Sequence, residues 1–249
     1  MKKTLSDQNS EEKATAPAFS RRRSFLRSAG MATASAAVLL SGCRSHLDEF
    51  LDEAGDKSVK QLISLASGDK GVLNYAYTLE QLEAAFYNRA VGNQSFMNSL
   101  TSTDRRFFTD VRNHEVIHRE ALRAVLGSDA IPDLKFNFSS IDFSNRNQVL
   151  RTASMFEDLG VAAYNGAGKY LSGASNLLLA GKIVSVEARH AAYFREILGN
   201  YDPGSRNVVS FAGDDIIDTN GLDLAMTPDK VLAKAAPYIL PDIDVSRIM

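Results

Sequence analysis

Apolar residues recur at helical spacing over four long stretches, approximately 69 to 91, 103 to 127, 146 to 171 and 175 to 199, which predicts four amphipathic helices. Turn-like segments separate them: Gly92-Asn93-Gln94-Ser95, a longer stretch holding Pro132 and Asn137, and Ser172-Gly173. Thr103-Asp104 reads as a helix start, and Gly127 and Gly199 stand where a glycine ends a helix. Helices of this length run about 30 to 40 Å, enough for a bundle around one core. Short links within each pair and a longer middle link predict two helical hairpins joined by a crossover. From Arg44 to about Ser67 a weaker helical spacing (Leu47, Phe50, Leu51, Val59, Leu62, Ile63, Leu65) predicts a tether and a short leading helix. Strand signals are slight, at Phe136 and Phe138 and at Val208-Val209. Past Tyr201 glycine, aspartate and proline take over, with one further helical candidate, Pro228 to Ala236, expected on the outside of the bundle.

The first residues follow a different pattern. A polar stretch to Ser20 leads into Arg21, Arg22 and Arg23, then Ser24-Phe25-Leu26-Arg27, then a small apolar run from Ala29 to Leu40. This is a charged region followed by a hydrophobic one too short to span a bilayer comfortably. The string Arg22 to Arg27 resembles a twin-arginine export signal. A basic nucleic-acid patch is the competing reading, but such patches are not usually followed by an apolar run. Leu40-Ser41-Gly42-Cys43 resembles a bacterial lipobox, and Cys43 is the only cysteine of the chain. A lone thiol forms no internal disulfide, which leaves a buried small hydrophobe, a reactive thiol or a lipidation site. Its place directly after the apolar run favours lipidation. The expected organisation is a signal segment at 1–42, a lipid-anchored tether with a leading helix at 43–67, the bundle at 68–200 and an extension at 201–249. The resemblances imply the twin-arginine export machinery as a partner, passage in the folded state, and a lipid on Cys43 holding the protein to a membrane of the cell envelope.

Composition changes this picture little. A chain of 249 residues, 45% hydrophobic and 23% charged, fits one ordinary domain after the targeting segment. A formal net charge of -2 gives no extended basic field, so no nucleic-acid partner is expected.

Candidate chemistry lies in an internal repeat. Leu79-Glu80-Gln81-Leu82-Glu83-Ala84-Ala85-Phe86-Tyr87-Asn88-Arg89-Ala90 aligns with Phe156-Glu157-Asp158-Leu159-Gly160-Val161-Ala162-Ala163-Tyr164-Asn165-Gly166-Ala167. The second and fourth helices align through Glu115-x-x-His118 and Glu187-x-x-His190, each followed at the same offset by Leu-Gly. Residues three apart share a helix face, so each carboxylate and imidazole can reach one small region. Two hairpins then supply Glu80, Glu115, Glu157, Glu187, His118 and His190 around one axis. This is the ligand set of di-iron and di-manganese carboxylate bundles, and it predicts two iron or manganese ions per chain.

Tyr87 and Tyr164 follow the repeat glutamates by two turns, where a phenol can hydrogen-bond a ligand carboxylate or simply pack in the core. Glu83 lies nearer the centre of the apolar stripe than Glu80, yet its repeat counterpart is Gly160. It reads as a seventh ligand, a proton carrier or a replacement for Glu80. His114, adjacent to Glu115, is expected to point elsewhere in a surface or core role, and His46 to be solvated in the tether.

The segments around Glu80 and Glu157 and the two Glu-x-x-His helices resemble the ferritin-like domain family, which includes twin-arginine exported bacterial members and plant desiccation-related proteins. The resemblance covers about residues 68 to 200. It implies an all-α four-helix bundle with a di-iron site and leaves the activity open. Three functions compete: a redox centre that oxidises Fe(II) or reduces dioxygen or peroxide, a metal-free structural or stress-protective bundle, and iron storage in a shell. A tethered chain with an extra tail suits a shell least. Homodimer formation stays open. There is no constellation for serine or cysteine catalysis and no phosphate-binding loop.

Overall fold

The computed structural model describes residues 61–201, 210, 213 and 215–249. The expected signal segment, Cys43, His46, the tether as far as residue 60 and Val208-Val209 lie outside the described residues. The elements run β1 (Leu62–Ser64), α1 (Gly68–Gly92), α2 (Gln94–Asn98), α3 (Ser102–Leu126), α4 (Arg146–Ala167), α5 (Ala174–Tyr201), α6 (Pro228–Ala235) and β2 (Asp242–Asp244). α1 packs chiefly on α3, and α4 on α5, giving two helical hairpins joined by the crossover 127–145.

Several helix ends differ from the expected ones because distant groups set them. α3 is capped by Thr101 rather than at Thr103-Asp104: its Oγ accepts from Asp104 N at 3.1 Å and donates to Asp104 Oδ2 at 2.7 Å. α5 runs past Gly199 to Tyr201, whose hydroxyl donates to Asp104 Oδ2 at 2.8 Å and accepts from Thr101 N at 3.0 Å. α4 stops at Ala167, and the expected last turn is a 3-10 turn, Gly168–Tyr170. The chain beyond it is held by Asp69 in the first turn of α1, whose carboxylate accepts from Ser172 N and Gly173 N at 2.8 and 2.9 Å and from Asn176 Nδ2 at 2.8 Å. Thus α1 caps the entry to α5 across the bundle.

The leading helix is not formed over Leu62–Ser64, which pairs in parallel with Asp242–Asp244. Ile63 is buried between two exposed neighbours, a strand pattern that becomes favourable only when a residue 180 positions later supplies the partner. Phe136 makes an isolated antiparallel bridge to Ile239, so the crossover and the tail meet there.

The interior holds fully buried Phe86, Phe96, Phe108, Phe156 and Phe194, with a second cluster of Leu73, Tyr77, Leu122, Leu126, Tyr164 and Ile183. A polar row on α1 positions the crossover: Asn74 bonds Asp129 O and Ile131 N at 2.8 Å, and Gln81 Oε1 accepts from Leu134 N at 2.8 Å. The tail lies on α4, where Met226 N donates to Ala162 O at 2.9 Å. Its backbone passes so close to Gly166 that a Cβ there would overlap it. α6 follows, packing Val231, Leu232 and Ala235 into the core. Among the described residues no helix is long and apolar enough to cross a membrane.

Candidate metal centre

The bundle interior is interrupted by charge. α1 brings in Glu80, α4 brings in Glu157, and the one-turn spacing on α3 and α5 brings in Glu115 with His118 and Glu187 with His190. All four carboxylates are fully buried, and the histidines are 9% and 3% exposed. Burying ionised carboxylates without partners is costly, so such a cluster needs cations or protons.

The two histidines mark two overlapping groups. His118 Nδ1 lies 2.8 Å from Glu187 Oε1, 3.5 Å from Glu80 Oε2 and 3.6 Å from Glu115 Oε2. His190 Nδ1 lies 3.0 Å from Glu115 Oε1, 3.3 Å from Glu157 Oε2 and 3.5 Å from Glu187 Oε2. These are ion-pair separations, yet none of these eight buried atoms has a hydrogen-bond partner in alignment. They sort into two sets of four. Glu115 and Glu187 give one oxygen to each set, while Glu80 and Glu157 each belong to one. Within each set the ligand atoms lie within 4.8 Å of one another. Ligands about 2 Å from an ion stand about 3 to 4 Å apart, so the spacing and the oxygen and imidazole donors fit a divalent cation in each group.

The remaining oxygens of the outer glutamates are used differently. Tyr87 Oη donates to Glu157 Oε1 at 2.5 Å, and Tyr164 Oη donates to Glu80 Oε1 at 2.6 Å. Each phenol therefore holds the carboxylate of the opposite hairpin and leaves its second oxygen free for the cluster.

Electrostatics follow the same crowding. Burial opposes charge on both histidines, but the surrounding carboxylates outweigh it and raise both, His190 to about 12. Burial and the Glu187 charge push Glu115 well up. Burial raises Glu157 to about 7 against the opposing pull of His190, whereas contacts with the two histidines overcome burial and hold Glu187 at about 2. Protons thus occupy the cluster when metal does not.

Glu83 is buried but belongs to neither group. Its Oε1 lies 3.2 Å from where a Cβ at Gly160 would stand, so the glycine in the repeat leaves room for this carboxylate. Burial, followed by the charges of Glu115, Glu187, Glu157 and Glu80, raises its pKa well above the usual range.

His114 departs from the expected bland role. Its Nδ1 lies 2.9 Å from His190 Nε2, although its own ring is partly open to solvent. Adjacency to Glu115 directs it away from that carboxylate, but α5 lies on the side to which it turns. The sequence signal was its four-residue spacing from His118, which puts the two imidazoles on neighbouring helix turns.

The sequence profile of the ferritin-like domain matches residues 68–200, the span of the four long helices. Comparison with curated proteins finds no significant match. With the profile covering more than half of its length and four helices enclosing a carboxylate and histidine cluster, the chain belongs to the ferritin-like domain family.

Proposed function

We propose that the protein is a two-metal carboxylate redox protein, holding two iron or manganese ions and oxidising Fe(II) or reducing dioxygen or peroxide. The observation that supports this most is the sorting of eight buried ligand atoms, none of them in an aligned hydrogen bond, into two sets that share Glu115 and Glu187. In this reading Glu80 with His118 and Glu157 with His190 complete the two positions. Bound Fe(II) or Mn(II) would supply the electrons that reduce dioxygen or peroxide. The chain's own residues prepare that chemistry. Tyr87 and Tyr164 orient the outer carboxylates, and the protonated Glu83 offers a proton beside the cluster. Burial of the six candidate ligands limits their contact with bulk water. The Arg22-Arg23 string and Cys43 support a lipid-anchored location in the cell envelope, reached through the twin-arginine machinery.

The experiment is metal loading of the purified chain with Fe(II) under anaerobic conditions, followed by admission of dioxygen. Two ions per chain and their rapid oxidation are expected, and uptake without oxidation by dioxygen or by added peroxide removes the redox assignment. A second reading, a metal-free protective bundle, is favoured by one observation: the histidines pair with the carboxylates and compensate part of their charge without metal. Absence of uptake even after reconstitution supports it. For location, Cys43→Ala is expected to move the protein from a membrane fraction to a soluble exported one, and retention after a salt wash contradicts the lipid anchor.

A further inference from the structure

The internal repeat makes the two halves of the cluster equivalent in their ligands but not in what stands behind them. Behind His190 is His114, with Nδ1 2.9 Å from His190 Nε2. The rings are 9° from parallel with centroids 5.1 Å apart, too far for face-to-face contact, so they meet edge to edge as a directed N–H···N bond requires. Aligning Glu115 with Glu187 places Val186 opposite His114 in the repeat. Val186 has no polar side chain to offer His118, so the pseudo-twofold relation breaks at this position.

That break has a chemical consequence. An imidazole that binds an ion through Nδ1 must carry its proton on Nε2. His114 Nδ1 is placed to accept that proton's hydrogen bond, which selects the required tautomer and fixes the ring's rotation. A partner of this kind also makes the ligand nitrogen a better donor, and its loss typically weakens metal binding by about 10- to 100-fold. We infer that His114 is a positioning residue that makes the two metal positions unequal, so that the position completed by Glu157 and His190 binds its ion more tightly and fills first. The inference rests on the two-ion reading above. His114 is itself partly open to solvent, whereas His190 is buried, so the pair also joins the interior of the site to the surface.

The test uses Co(II) as the probe, titrated into the full chain after removal of metal by a chelator. Visible absorption follows each step, and elemental analysis counts the ions. The wild type is expected to bind two Co(II) in separable steps. His114→Phe keeps a ring but loses the acceptor, and should weaken the tighter step by about 10- to 100-fold while leaving the other in place. His114→Asn, whose Oδ1 can stand where Nδ1 stood, should retain most of the affinity. In a His190→Ala background, His114→Phe should change the remaining step no further, since its effect passes through His190. Coincident steps in the wild type, an unaltered titration in His114→Phe, equal loss in His114→Asn, or a full effect of His114→Phe without His190 each overturn the inference. A wild-type chain that takes up no Co(II) instead overturns the two-ion reading beneath it.

Discussion

At the scale of residues, the site is a division of labour among oxygens. Glu80 and Glu157 each spend one oxygen on a tyrosine from the opposite hairpin and keep one for the cluster, whereas Glu115 and Glu187 keep both. Glu80→Gln should therefore remove most of the affinity for one ion, because an amide brings no charge to the single position that Glu80 serves. Glu83→Gln should keep two ions and slow their oxidation, because its carboxylate lies beside Gly160 and outside both groups. Metal stoichiometry with single-turnover oxidation distinguishes the two, and loss of metal in Glu83→Gln alone would exchange their roles. Tyr87→Phe frees Glu157 Oε1 from the phenol that holds it and should loosen the position of that carboxylate, with weaker metal binding and little loss of fold. An infrared carboxylate band that does not move in Tyr87→Phe would contradict this.

At the scale of elements, contacts between distant segments decide where helices begin and end. Asp69 receives the backbone of Ser172 and Gly173, and these hydrogen bonds hold its carboxyl well below the usual range. Asp69→Ala should lower Tm and speed amide exchange over 172–176, and unchanged exchange there would refute the cross-bundle cap. Gly166→Ala should displace the Met226 backbone, cost about 1 to 3 kcal/mol and expose the tail to protease, as measured by denaturant unfolding and limited proteolysis. The four helices, the two hairpins and the glutamate and histidine repeat were legible because each rests on spacing within one helix or between two copies of it. The strand Leu62–Ser64, the cap at Asp69 and the crossover contacts of Asn74 and Gln81 were not, because each needs a partner far along the chain. His114 belongs with them: its helical position was readable, but the helix it faces was not. The repeat singles out Glu80 while the centre of the apolar stripe singles out Glu83, and the geometry explains why both point inward, since such a stripe is broad enough to bury two carboxylates one turn apart.

At the scale of the whole molecule, the tail and the cluster set stability in different ways. Arg195, 3% exposed, bonds Asp158 at 2.8 and 2.7 Å and Asp215 at 2.5 and 3.1 Å, joining α5, α4 and the tail. Arg195→Met should leave Asp158 without its counter-ion and cost about 3 kcal/mol in denaturant unfolding. The cluster makes stability depend on pH with a defined sign. His190 is raised from 6.5 to about 12 and Glu157 from 4.5 to about 7, so the metal-free fold binds more protons than the unfolded chain. Their contributions are complete below the unfolded values and are lost as pH rises through the folded ones, so metal-free Tm should fall between pH 5 and 8. Metal bound at the cluster would replace those protons, so the stabilisation it brings should grow over the same range. Calorimetry with and without metal checks this, and parallel curves would contradict it. The most direct measurement is the number of divalent ions held by the chain after anaerobic loading with Fe(II) and removal of excess. Two are expected in the wild type and fewer than two in Glu115→Gln, whose carboxylate faces both groups; none in the wild type, or two in Glu115→Gln, would rule out a two-ion centre that shares Glu115.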